Sequence, residues 1–227
     1  LYKDITDNYY KHFAVFNSRF HIAMQCLKDA AYRQVFTRNL AGWTEDQVLN
    51  AARGFNAAMQ KRKQLIYKSV TKKEAAKEII GIFDVHTITF SESVDFAKGL
   101  CKETQPWGEA YHSKMSKYAR QSVLERFSDD RTDTRVIHTA RALDEGFDVD
   151  GIKLAIICSG TSTARQDLQR TGRAIRFKEG KTGAIVNLYL KDTQDEKWLK
   201  KRQSKSANIQ WIHSVKELQD KCSLSIH

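Results

Sequence analysis

The sequence lacks any apolar run approaching the roughly 18 residues that a membrane-spanning helix needs, and its start at Leu1 has no basic, apolar, small-residue order of a secretory signal. These absences lead to the expectation of a soluble, cytoplasmic protein with no membrane partner. Cysteine is sparse: Cys26, Cys101, Cys158 and Cys222 form no C-x-x-C pair and have no histidine at zinc-ligand spacing, so reduced thiols are expected and a zinc site is not. The seven histidines are equally dispersed and no H-E-x-x-H occurs, so no metal ligand set is expected. Proline is reduced to Pro106, which marks a loop, and there are no internal repeats or low-complexity tracts.

What the chain does have is enough length and apolar content, 227 residues at 41% hydrophobic, for one good-sized core with a helical appendage. Lys and Arg number 38 against 27 Asp and Glu, a net charge of +11, which favours a polyanionic partner such as nucleic acid. A first residue other than Met leads to the expectation that the chain is part of a longer protein.

Residues 1–80 carry a helical pattern without glycine-bounded β runs. Thr44 with Gln47, and Thr71 with Glu74, fit capping boxes that start helices. Between them Phe55, Met59, Ile66 and Val70 fall on an apolar stripe, leaving Arg53, Lys61, Arg62 and Lys63 on a polar face that is either solvated or a basic arm over nucleic acid. Residues 81–227 change rhythm to short β-branched runs separated by amphipathic stretches. Strands are predicted at 85–90, 109–113, 134–139, 152–158 and 183–190, and helices near 93–103, 116–127, 163–175 and 194–201. The alternation is that of an α/β fold with an open parallel sheet flanked by helices, preceded by an all-helical segment. In such sheets ligands gather beyond the carboxyl ends of the strands.

The most informative segment is QRTGRAIR, Gln169 to Arg176. On a helix, Ala164, Leu168, Gly172 and Ile175 form a packing stripe, and Gln169, Arg173 and Arg176 form an adjacent polar stripe that presents an amide and two guanidinium groups toward one point. Upstream, VIHTARALDEGFDVDG, from Val136 to Gly151, reads as a strand ending near Thr139 and a loop bearing Gly146 and Asp148. Asp144 and Glu145 do not begin a D-E-x-D/H motif, and Gly180, Lys181 and Thr182 do not form a Walker A loop, because Ile175 stands where its first glycine belongs.

QRTGRAIR resembles motif VI of superfamily 2 helicases, the Val136–Gly151 segment resembles motif V, and TITFSES, Thr87 to Ser93, resembles motif IV. The run ICSGTSTARQDLQRTGR is most similar to XPB-type excision-repair helicases and phage branch-migration helicases, and Gln169 in place of the histidine of RNA helicases favours DNA. The resemblance implies the second, C-terminal RecA-like motor domain of an ATP-dependent DNA helicase or translocase. Its partners are then DNA, with RNA as the alternative substrate, and the N-terminal RecA-like domain of the same protein. The cofactor is ATP with Mg²⁺, whose ligands lie on that first domain together with Walker A. The resemblance also implies that Arg173, Arg176 and Gln169 act in catalysis and that Gly146, Asp148 and Arg170 approach the nucleotide. Ser91, Ser93 and Thr139 face the nucleic-acid backbone, as do His112 and Ser113 in the segment Tyr111–Ser113 that resembles the family's next strand end. The competing reading is a non-catalytic nucleic-acid-binding module.

Overall fold

The computed structural model describes residues 1–140, 151–159, 183–203 and 209–222. The chain divides into two compact units, Leu1–Ile66 and Tyr67–His227.

The first unit is helical: α1 (Tyr2–Ala14), α2 (Phe20–Lys28), α3 (Ala30–Arg38) and most of α4 (Glu45–Tyr67). Its core gathers Phe16, Ile22, Ala23, Cys26, Val48, Ala52 and Phe55. The box at the start of α4 is present: the Thr44 amide donates to Gln47 Oε1 at 2.8 Å and the Gln47 amide to Thr44 Oγ1 at 3.3 Å, satisfying N–H groups that the helix itself cannot. Gly54 lets α1 approach closely, since a Cβ there would lie 2.6 Å from His12 Cε1. Two sequence expectations change here. Arg62 is not on a solvated face; it is buried, with its guanidinium carbon 4.4 Å from the centre of the Tyr9 ring, a cation–π contact that an apolar environment strengthens. Val70 leaves the apolar stripe and is 62% exposed, because α4 has ended and Val70 opens the next helix.

That helix, α5 (Val70–Phe83), is capped by Ser69, whose hydroxyl accepts from the Lys72 amide. The expected Thr71 box is displaced by two residues, and Thr71 Oγ1 instead pairs with Ser69 Oγ at 2.9 Å. Ile79, Ile80 and Phe83 of α5 share a core with Leu100, Val136, Leu154 and Ile156. The helix therefore belongs to the sheet unit, and the division falls between residues 66 and 67, upstream of the change of rhythm at residue 80.

The sheet has the expected strands: β1 (Thr87–Ser91), β2 (Gly108–His112), β3 (Val136–Ala140), β4 (Leu154–Ile157) and β5 (Ala184–Asn187), in the order β2-β3-β1-β4-β5, all parallel. The central strands β1, β3 and β4 are buried at every residue, as strands covered on both faces must be. Helix α6 (Val94–Glu103) connects β1 to β2 and α7 (Lys117–Ser128) connects β2 to β3. After β5 come α8 (Gln194–Gln203) and α9 (Val215–Lys221). Helix α9 is not among the elements predicted from the sequence, although Ser214 and Glu217 carry a start signal: Ser214 Oγ accepts from the Glu217 amide at 3.1 Å and the Glu217 carboxylate from the His213 amide at 2.9 Å. The helix predicted at 163–175 lies outside the described residues.

Two polar devices fix the sheet from within. His138, fully buried in β3, has Nδ1 3.0 Å from Thr89 Oγ1 and Nε2 2.8 Å from Thr104 Oγ1. Gly108 makes room for this pair, because a Cβ there would collide with Thr104 Oγ1 and sit 2.8 Å from His138 Nε2. Second, Lys72 of α5 forms a buried ion pair with Asp195 of α8 and donates to the Cys158 carbonyl just past β4 at 2.9 Å. Asp195 in turn accepts from the Leu190 amide at 3.0 Å.

Candidate nucleic-acid interface at the strand tips

Because every strand is parallel, the carboxyl ends share one edge of the sheet. The register places Ser91 of β1 and His112 of β2 on either side of Ala140 of β3, with neighbouring strands spaced about 4.8 Å apart. Ser113 follows His112 directly, Ser93 lies two residues past Ser91, and Thr139 lies one residue inside the rim. Residues 141–150 continue the chain from β3, and residues 160–182 from Ser159 beyond β4. Gly146, Asp148, Gln169, Arg170, Arg173 and Arg176 fall in those stretches, outside the described residues.

The five described candidates are not chemically alike. Ser91 is buried and its hydroxyl proton is directed at the carbonyls of Thr139 and Ser93, at 3.0 and 3.1 Å. Thr139 is buried, and its hydroxyl donates to the Thr89 carbonyl at 2.8 Å. Both side chains spend their donors on tying β1 to β3. Ser93 caps α6 by accepting from the Phe96 amide at 3.2 Å, which leaves its own proton to give. Ser113 is exposed.

His112 is 5% exposed and its Nδ1 has no hydrogen-bond partner among the described residues. Burial holds its pKa below the ordinary imidazole value, and the nearby charges of Lys98 and Lys114 push in the same direction. At neutral pH the ring is therefore uncharged, able to donate or accept a hydrogen bond but not to neutralise a phosphate. The positive charge near it is carried by Lys98 and Lys114, both exposed.

Sequence reasoning missed several residues of this edge. Ser159, buried just beyond β4, accepts the Glu92 amide on its hydroxyl at 2.8 Å and so ties the β1 loop to the β4 end. Lys114 and Lys117 were passed over within KMSKYARQ, although basic side chains after a predicted strand end were the available signal. Among the described residues, no group of three or more His, Cys, Asp or Glu could hold a metal ion, and no helix is long and apolar enough to cross a membrane. A cavity of about 430 Å³ flanks β5, lined in part by Ile79, Ile185, Leu188, Trp211 and Leu218, and none of the described candidate residues lines it.

Comparison with known proteins bears on this edge directly. Residues 71–178 match the family of the helicase conserved C-terminal domain, a span containing the tips of β1 to β4 and the QRTGRAIR segment. A DNA 3'-5' translocase XPB2 from Sulfurisphaera tokodaii is 37% identical over 89 residues, 39% of this chain and 20% of that protein. The chain spans about a fifth of the length of the curated relatives it matches. The Sulfolobus solfataricus SWI2/SNF2 ATPase core in complex with dsDNA shares the fold at a TM-score of 0.54 and 15% identity, covering 80% of this chain and 41% of its own. The C-terminal part of the Fun30 ATPase domain does so at 0.50 and 18% identity, covering 88% and 70%. The expected RecA-like sheet is thus the one found, and over residues 71–178, a little under half of the chain, the sequence is similar to the helicase conserved C-terminal domain.

Proposed function

We propose that this domain is the second motor lobe of an ATP-dependent DNA translocase or helicase, completing an ATP site on a Walker A lobe and gripping the DNA backbone at its strand tips. One observation carries the reading: the family match spans the carboxyl edge of the sheet and the QRTGRAIR segment that follows β4. DNA rather than RNA is favoured by Gln169 at the head of that segment and by the DNA translocase among the relatives.

In this proposal Arg173 and Arg176 reach the γ-phosphate of ATP bound by the partner lobe and neutralise the charge that develops as its bond to the β-phosphate breaks. Gln169 and Arg170 sense the same phosphate, and Gly146 and Asp148 approach the nucleotide from beyond β3. Mg²⁺ and the water-activating base belong to the first lobe. Ser93, Ser113 and His112 supply hydrogen bonds to backbone phosphates, with Lys98 and Lys114 supplying charge. Ser91 and Thr139 hold the rim in register. Contacts of this kind position DNA without reading its sequence.

The decisive measurement is DNA-stimulated ATP hydrolysis by the protein that joins this domain to a Walker A lobe. Arg173→Ala is expected to lower the rate roughly 10³- to 10⁵-fold with an unchanged melting temperature, and near-normal turnover would remove the finger assignment. Binding of the 227-residue chain to duplexes of unrelated sequence is expected to be equal and to fall about tenfold or more between roughly 50 and 200 mM salt.

A further inference from the structure

The run that follows β2 presents a feature that phosphate binding leaves unused. Met115 packs against the sheet core, while Ser113, Lys114, Ser116, Lys117 and Tyr118 are all exposed. Tyr118 stands out: at 85% exposure it is the most exposed large apolar or aromatic side chain among the described residues. It occupies the first turn of α7, whose core face is made by Val123 and Phe127, and it contributes nothing to that core. Ser116 already starts the helix, its hydroxyl accepting from the Ala119 amide at 3.1 Å, so capping does not account for Tyr118 either. The result is a flat aromatic ring held out in water at the end of a run that also exposes Lys114 and Lys117 and that joins the tip of β2 to α7.

We propose that Tyr118 is a stacking platform for an unpaired DNA base, with the exposed Lys114 and Lys117 of the same run holding the adjoining phosphates. This inference rests on the reading of the strand tips as the nucleic-acid path. Every base has a π face, so a tyrosine stacks without sequence preference, and it can do so only where the base is free of its partner strand. The platform therefore gives this domain a preference for single-stranded or locally opened DNA over closed duplex. A pure phosphate grip would not produce that preference.

The test uses the 227-residue chain and three fluorescein-labelled probes read by anisotropy: oligo(dT), an abasic backbone of the same length, and a closed duplex. Tyr118→Ala is expected to weaken oligo(dT) binding roughly 5- to 100-fold while leaving the abasic and duplex affinities and the melting temperature unchanged. Tyr118→Phe, which keeps the ring, is expected to bind oligo(dT) like the parent. Equal oligo(dT) affinity for parent and Tyr118→Ala, or an equal loss on oligo(dT) and abasic probes, would overturn the platform while leaving the grip intact. If the parent chain bound none of the probes, the nucleic-acid path itself would fall, and the platform with it.

Discussion

Two buried histidines on neighbouring strands are treated in opposite ways. His138, in the middle of β3, has a partner on each ring nitrogen. Thr104 Oγ1 donates to the Leu100 carbonyl at 2.9 Å, so it accepts from Nε2–H of His138, and Nδ1 accepts from Thr89. His112, at the tip of β2, keeps an Nδ1 without a partner among the described residues. An unmatched buried polar atom costs about 1–3 kcal/mol, so the difference separates an interior organised for stability from a strand tip that keeps a buried nitrogen open among the described residues. In this comparison, removing an interior polar group should cost stability and spare binding, whereas removing a rim group should do the reverse.

The largest effect is expected at the ion pair that anchors the rim from behind. Lys72 links α5 to Asp195 of α8 and to the carbonyl of Cys158, where the chain leaves β4. Lys72→Met strands a buried carboxylate and should destabilise the domain by about 3–5 kcal/mol, with much of the loss recovered in a Lys72→Met/Asp195→Leu double variant, since apolar replacements of buried pairs are often neutral. Chemical denaturation of the parent and the two variants measures it. A loss below about 1 kcal/mol, the range of an exposed pair, would show that the interior and the rim do not differ as described.

The middle of the sheet makes a second, pH-dependent prediction. Burial holds the pKa of His138 down to about 3, against 6.5 for the free side chain. The unfolded chain thus takes up a proton as pH falls below about 6.5 while the folded chain does not, so stability present above that value is lost progressively toward pH 3. Between pH 6.5 and 5, above the range in which most carboxylates titrate, His138 should cost about 2 kcal/mol. His138→Gln, which keeps a donor and an acceptor, should reduce the slope of melting temperature against pH in that window. An unchanged slope would assign it to the other histidines whose pKa burial lowers, His12, His86 and His112.

The fold was legible in the sequence where periodicity is strong and local. Runs such as TITF and LAII become buried strands because β-branched and apolar residues repeat without interruption, and the Thr44–Gln47 box announces its helix. The signal failed where tertiary contacts decide. Arg62 looks polar in a helical pattern and is buried only because α1 brings Tyr9 against it. Lys72 and Asp195 stand far apart in the chain, and no spacing rule pairs them. At the rim, residue types pointed to the carboxyl edge of the sheet, yet hydroxyl direction did not follow from type. Ser91 and Ser93 read alike in the sequence, and one donates inward while the other caps a helix.

That last distinction yields the smallest and sharpest prediction. Thr139→Val removes the hydroxyl that donates to the Thr89 carbonyl and should cost about 1 kcal/mol of stability with little change in DNA affinity. Ser113→Ala touches an exposed side chain and should move stability by no more than about 0.5 kcal/mol while weakening DNA binding a few-fold, as loss of one neutral hydrogen bond does. Melting curves and salt-matched binding titrations of the two variants, side by side, separate the roles. If Thr139→Val instead lost DNA affinity tenfold while remaining as stable as the parent, its hydroxyl would leave Thr89 to meet a phosphate in the complex, and the boundary between interior and rim would move one residue down the strand.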